Sequence, residues 1–420
     1  MINSLETKIK KSVIERFLQY VKIDTKSDEN FSDYDGKETT PSSKKQFILA
    51  NLLKEELETI GIKQAEVDEF CYVYAILKAS EGVSAPAITF CAHLDTSPDV
   101  SGKNVKPLIR KYTGVALTFP DNKDLYLNNE ICPELDLFIN ENIITASGDT
   151  LLGADDKAGI AEIITALEFL IKYPEIKHPE LRIIFTPDEE IGRGTAKLNI
   201  KKAGKYGYTM DGSIMGELEG ECFNAYRVNI KIQGKNMHPG FAKDKMINAC
   251  SIASRFVSDL PEWETPEHTE KREGFYHVNG IEGDESETNI SMILRDFEAD
   301  NNLKRIDFIK SLINLYQNKY PGLNITLDCS ETYKNMFEII NQNPEVINKA
   351  QQAITLAGLE PRLSAIRGGT DGARMSYMGM PCPNIFTGGM LFHSKLEWIP
   401  EIALSKAVLT ILHLCELWTK

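Results

Sequence analysis

The sequence predicts an α/β protein interrupted by a smaller α+β unit, and three observations predict it. The first is size and composition. With 420 residues, 42% of them hydrophobic and 26% charged, the chain is long enough for two or three packed domains at about 150 residues each, and too apolar for disorder. The second is a series of short apolar runs, at Val73–Leu77, 87–92, Leu181–Thr186 and 208–210, with helical periodicity between them. That is the pattern of buried, mostly parallel strands joined by helices. The third is Tyr226-Arg227-Val228-Asn229-Ile230-Lys231-Ile232-Gln233, where apolar and polar residues alternate without a fault. Such a strand has one wet face and belongs to a different sheet.

The elements follow in order. Leu5, Ile9, Val13, Phe17 and Val21 recur every four residues with Ile14 and Leu18 beside them, so the chain opens on an amphipathic helix. A loop over 24–43 is rich in Asp, Ser, Thr and Lys. Ser43-Lys44-Lys45-Gln46 then reads as a capping box that starts a helix running through Leu53 and Leu57 to a stop at Gly61. The stretch 157–172 is a helix with Ile160, Ile163, Ile164, Leu167 and Ile171 on one side. After the alternating strand come a helical stretch (Ala249, Ile252, Ala253, Phe256, Leu260), strands at 275–278 and 288–294, a helix over 303–320 and a strand at 324–328. This order, β-α-β-β-α-β, is the split arrangement of a ferredoxin-like domain. Beyond Tyr333 the α/β pattern resumes with a helix ending near Gly358, a strand at 383–386 and a helix over 400–417. The expected organisation is thus a discontinuous α/β domain, 1–221 with 334–420, carrying an inserted domain at 222–333.

A formal charge of -14 with no basic block argues against a nucleic-acid or anionic-membrane surface and favours small soluble partners. Ser12, Glu15 and Arg16 break the apolar core that a signal peptide needs, and no run approaches a membrane span. Eight cysteines are widely scattered without a Cys-x-x-Cys, as expected of reduced thiols in a cytoplasmic protein. The wet-faced inserted sheet offers an edge for pairing, so a homodimer is compatible with the sequence.

Five positions carry chemistry, and each has a plain structural alternative. His93-Leu94-Asp95 closes the 87–92 strand, where open α/β sheets place ligands. Residues two apart project the same way, so Asp95 can orient His93; alone, this is an ordinary His–Asp pair. In Gly153-Ala154-Asp155-Asp156-Lys157 an aspartate can cap the following helix, or one can brace while the other bridges two metal ions. Asp188-Glu189-Glu190 is either a solvated acidic turn or a division of labour, one glutamate on a metal and its neighbour taking a proton from water. Met210-Asp211-Gly212 and His393 are unremarkable singly. Together His93, Asp155, Glu190, Asp211 and His393 supply two imidazoles and three carboxylates, nitrogen and oxygen donors that suit zinc, cobalt or manganese in a dinuclear site.

In this order, and with an insertion before the last histidine, the motifs resemble the two-zinc aminoacylase/carboxypeptidase superfamily of metallopeptidases, and within it the tripeptide aminopeptidases. Supporting runs are Ser97-Pro98-Asp99-Val100-Ser101-Gly102-Lys103-Asn104-Val105, Gly274-Phe275-Tyr276-His277, Ile366-Arg367-Gly368-Gly369-Thr370-Asp371-Gly372-Ala373 and Pro381-Cys382-Pro383-Asn384, spread over nearly the whole chain. The resemblance implies a dinuclear-metal catalytic domain with two Zn2+ per subunit, Co2+ or Mn2+ being substitutes. It implies that His93 and Asp211 hold one ion, Glu190 and His393 the other, and that Asp155 bridges them through a cis peptide to Asp156. Asp95 would brace His93 and Glu189 would be the general base. The substrates implied are short peptides with a free amino terminus.

On that reading His238, in Asn236-Met237-His238-Pro239-Gly240, is a candidate oxyanion donor, its alternative being a loop histidine beside a turn proline. Arg295 and Arg367 are candidate clamps for the substrate's terminal carboxylate, their alternative being structural ion pairs. With His238 and Arg295 on the insertion, the inserted domain is expected to act as a lid. Ser394-Lys395-Leu396-Glu397 stands where relatives typically show Gly-Lys-His-Glu, and Ser213-Ile214 where small glycines are usual. These departures bear on the pocket for the amino-terminal side chain.

Overall fold

The computed structural model describes residues 1–30 and 39–420, so the polar loop expected over 24–43 lies partly outside the described residues. The chain forms two compact units. One comprises Met1–Gly220, Glu338–Ser364 and Thr370–Lys420, the other Glu221–Phe337 and Ala365–Gly369.

The first unit is built on a large mixed sheet. Its strands run in the spatial order Ala65–Val67, Val73–Leu77, Leu181–Thr186, Ile88–His93, Tyr206–Gly212 and Asn384–Phe386, and Glu217–Cys222 and Arg362–Ile366 complete it. The four central strands, Leu181–Thr186 to Asn384–Phe386 in that order, are mutually parallel, and antiparallel pairs flank them. Ile88–His93 is buried at every position, as a strand covered on both faces must be, which is why it reads as an apolar run. Three helices, Glu6–Tyr20, Ala154–Lys172 and Glu401–Leu417, pack on one another, and the second lies against the Ile88–His93 and Tyr206–Gly212 strands. Among the described residues no helix is long and apolar enough to cross a membrane.

One expectation needs correction. The capping box does not form: the Gln46–Thr59 helix has Lys45 at its N-cap with no side-chain bond. Gln46 instead turns inward, donating through Nε2 to Asp188 Oδ1 at 2.7 Å and accepting from the Asp188 amide at 3.2 Å, because a buried carboxylate needs donors more than an exposed helix end does. The stretch between residues 96 and 150 carries elements of its own. It holds a three-stranded sheet of Leu108–Lys111, Asn142–Thr145 and Trp398–Pro400, and a hairpin of Leu117–Phe119 with Asn122–Leu127.

The second unit is a four-stranded antiparallel sheet in the order Phe275–Gly283, Glu287–Asp296, Asn224–Gln233, Asn324–Tyr333. Helices Ala249–Ser258 and Ala299–Lys319 complete the β-α-β-β-α-β sequence of a ferredoxin-like fold. Val228, Ile230 and Ile232 point into its core while Arg227 and Lys231 are exposed, so the alternation in the sequence is the two faces of one strand.

Candidate metal centre

The parallel strands of the first unit end at the same place, and each delivers side chains there. Ile88–His93 ends on His93. Leu181–Thr186 leads into Asp188, Glu189 and Glu190, Tyr206–Gly212 carries Asp211 at its end, and Asn384–Phe386 feeds the loop that holds His393. Asp155 comes from the start of the Ala154–Lys172 helix, where Asp155 (φ -82°, ψ 104°) and Asp156 (φ -122°, ψ 35°) are not helical and the peptide between them is cis.

Five side chains converge. His93 Nε2 lies 2.7 Å from Asp155 Oδ1 and 3.6 Å from Asp211 Oδ1. His393 Nε2 lies 3.2 Å from Asp155 Oδ2 and 2.8 Å from Glu190 Oε2. Asp155 thus presents one oxygen to each imidazole. On its far side the His93 ring turns Nδ1 toward Asp95, 3.1 Å from the carbonyl oxygen and 3.4 Å from Oδ1. The Asp95 carboxylate, fully buried, also accepts the amides of Glu189 (2.9 Å) and Glu190 (3.1 Å), so one residue orients the imidazole and the acidic turn together.

The two aspartates in sequence do different work. Asp156 accepts from the Gly159 amide at 3.2 Å, as a helix cap does, and from the His93 amide at 3.1 Å. Asp156 also comes within 4.8 Å of His93 and Asp211, but with both oxygens engaged by main chain it is a brace for the strand end. Asp155 instead turns its two oxygens to the two imidazoles.

The electrostatics fit a cation. Burial pushes Asp155 up, but the imidazoles of His393 and His93 outweigh it and hold the carboxyl below the usual range. Asp155 and Glu190 raise His393 to about 11. Burial lowers His93, yet the carboxylates of Asp155, Asp211 and Asp95 carry it well above the ordinary imidazole value. Burial, with the charge of Asp155 beside it, lifts Glu190 to about 8, and its Oε1 is buried without a hydrogen-bond partner among the described residues. Acids this crowded demand positive charge, and an orphaned carboxylate oxygen beside two imidazoles matches the donor set of a divalent transition metal.

Glu189 belongs to neither of the side-chain groups among the described residues that could hold an ion. Its carboxyl is raised well above the ordinary value, first by burial and then by the charges of Asp371 and Asp211, so the environment favours its protonated form. Asp188 of the same run is no solvated acid: it is fully buried and takes bonds from the Ser42 amide (2.7 Å), Ser42 Oγ (2.6 Å) and Gln46. Sequence reasoning also left Glu397 and Asn384 without roles. Glu397 accepts three amides of the 152–155 loop, and Asn384 accepts the Asp211 amide at 3.1 Å while donating to Glu219 at 2.6 Å. Their only signal was position, Glu397 four residues after His393 and Asn384 on a strand next to Asp211.

The three substrate candidates lie in the second unit. His238 caps a short turn, its Nδ1 accepting the Gly240 amide at 3.2 Å. Arg295 stacks on the Tyr333 ring at 4.8 Å. Arg367 donates to the carbonyls of Thr269, Lys271 and Glu273 and lies over the rings of Phe223 and Phe275, so a substrate carboxylate would compete with those carbonyls.

Comparison with known proteins points the same way as the geometry. A family model described as peptidase family M20/M25/M40 matches residues 150–417. The chain is 47% identical over 410 residues to peptidase T of Caldanaerobacter subterraneus subsp. tengcongensis, covering 97% of this chain and 99% of that protein. It is 46% identical over 410 residues to peptidase T of Bacillus subtilis, at 97% and 98%. In fold it is similar to the aminopeptidase PepT of Bacillus cereus, with TM-score 0.75 and 21% identity over 98% of this chain and 99% of that one. It is also similar to a dinuclear metal binding peptidase of the M20 family from Bacillus subtilis, with TM-score 0.66 and 14% identity over 98% of each. Matched by the family model over well over half its length, and by these relatives over nearly all of it, the chain belongs to the M20/M25/M40 family of peptidases.

Proposed function

We propose that the protein is an aminopeptidase that removes the amino-terminal residue from short peptides, chiefly tripeptides, at a dinuclear zinc centre with Glu189 as general base. The observation that carries the reading is Asp155, whose two carboxylate oxygens face His93 at 2.7 Å and His393 at 3.2 Å. A shared carboxylate between two imidazoles is what a pair of ions requires. His93 and Asp211 would hold one, Glu190 and His393 the other, with cobalt or manganese as substitutes. The substrate class follows the relatives named peptidase T and the solved structure called a tripeptidase from Staphylococcus aureus.

When bound, the two ions supply Lewis acidity, polarising the scissile carbonyl and lowering the pKa of an attacking water. The chain's own residues do the rest. Glu189, fixed through its amide to Asp95, accepts the water's proton as a carboxylate and passes it to the departing amine; burial and the neighbouring acids raise its affinity for that proton, which makes the ionised group a stronger base. Asp95 keeps the His93 ring turned so that Nε2 faces the carboxylates. The roles of His238 as oxyanion donor, and of Arg295 and Arg367 as carboxylate clamps, rest on their chemistry and their places in the sequence. Replacing either arginine by Ala should raise KM for a tripeptide and leave KM for the corresponding tripeptide amide unchanged.

The test is release of the first residue from an unblocked tripeptide and from its N-acetylated twin, by protein loaded with zinc or cobalt, beside Glu189→Gln. Cleavage of only the free-amine peptide, with a variant that keeps its metal but loses about 10²-fold or more in kcat, supports the assignment. Equal cleavage of the blocked peptide would replace it with a deacylase or carboxypeptidase reading.

A further inference from the structure

We propose that Glu397 is the positioning residue of the metal centre: by gripping the main chain on either side of Ala154 it sets where Asp155 stands between the two ions. The inference rests on the reading of Asp155 as their shared ligand.

Three observations carry it. Glu397 is 1% exposed, and both its oxygens are spent on the loop that delivers Asp155. Oε2 accepts the amides of Leu152 and Gly153, each at 2.7 Å, and Oε1 accepts the amide of Asp155 itself at 3.1 Å. Second, the grip comes from the same short segment as His393. A local turn folds that segment back, with Ser394 Oγ donating to the Leu391 carbonyl at 2.7 Å and accepting the Leu396 amide at 3.1 Å. Asp155 is therefore held twice by one loop, at its backbone by Glu397 and at its carboxylate by His393, 3.2 Å away. Third, Asp155 (φ -82°, ψ 104°) lies outside helical geometry, so the Ala154–Lys172 helix does not itself fix its backbone.

Only a carboxylate can do this. Three N–H groups converge on two oxygens, and a carboxylate is the one side chain that offers two acceptors and no donor. An isosteric glutamine turns one oxygen into an NH2 that must face an amide N–H. A shared ligand sets the distance between two ions, so a shift of about 0.5 Å in Asp155 is felt by both.

The experiment uses the full chain loaded with cobalt and compares wild type with Glu397→Gln and Glu397→Asp. Four quantities are read: the visible cobalt spectrum, the affinity for each ion by chelator competition, kcat with KM on a tripeptide, and the melting temperature. In Glu397→Gln the cobalt bands shift, at least one ion is held about tenfold more weakly, and kcat falls about tenfold or more with KM within about twofold. Glu397→Asp, which keeps the carboxylate, recovers part of the spectrum and of kcat. If both variants keep the wild-type spectrum and both affinities while only the melting temperature falls, Glu397 is a loop brace and the proposal is overturned. Should the Gln variant not fold, the Asp variant decides on the same spectrum and affinities. Uptake of a single cobalt by the wild type would sink the shared-ligand reading first, before any variant is compared.

Discussion

Glu162 lies inside the Ala154–Lys172 helix with 0% exposure, and neither of its carboxyl oxygens has a hydrogen-bond partner among the described residues. Burial alone pushes its carboxyl well above the ordinary 4.5, so the folded chain keeps this proton to higher pH than the unfolded chain does. The resulting stability is fully present below 4.5 and is lost as pH rises toward the folded value. Glu162→Gln, which cannot ionise, should gain melting temperature relative to wild type as pH is raised from 5 to 8; a gap that stays constant would show that Glu162 does not titrate. Asp188 is the opposite case, a buried acid with every donor it needs. Gln46→Ala removes one of those donors and should cost about 1–3 kcal/mol in denaturant unfolding. These two acids also mark what could be read in advance. His93-Leu94-Asp95 and Asp155-Asp156 were legible because neighbours in sequence share the work. Asp188, Glu397 and Asn384 were not, because their partners, Gln46, Leu152 and Glu219, are brought to them only by the fold.

At the scale of elements, the Ala154–Lys172 helix is seated on the sheet by a glycine. A Cβ at Gly159 would stand 2.0 Å from the Met210 carbonyl oxygen and 2.5 Å from Asp156 Oδ1. Gly159→Ala must therefore lift the helix from the strand that ends in Asp211. The expected loss is about 3 kcal/mol or more by chemical denaturation, with weaker metal retention, although alanine is the better helix former. The strands and helices that surround this contact were readable because each is apolar over its buried length. Leu181–Thr186 and Val73–Leu77 occupy the residues their apolar runs mark out. Leu108–Lys111 was not readable, since Leu108-Ile109-Arg110-Lys111 is short and half wet, and its partner Asn142–Thr145 lies about thirty residues away along the chain. The capping box failed for a related reason: Gln46 satisfies the local rule but has a better use across 142 residues of sequence.

For the whole molecule, every proposed metal ligand belongs to the first of the two units. Removing metal should therefore leave a regional trace. In hydrogen exchange, chelation should raise exchange around residues 93–95, 152–160, 188–190, 209–212 and 391–398, and leave the Asn224–Gln233 and Glu287–Asp296 strands of the second unit unchanged. Equal loosening of those strands would show that the metals stabilise both units. The first unit is also discontinuous, left by the chain at Gly220 and re-entered at Glu338. Translation runs in one direction, so His93, Asp155, Glu190 and Asp211 emerge well before His393 and Glu397. On the proposed ligand set, a nascent chain carries an open acid cluster that one late imidazole and one late carboxylate would close, so peptidase activity would await synthesis past that loop.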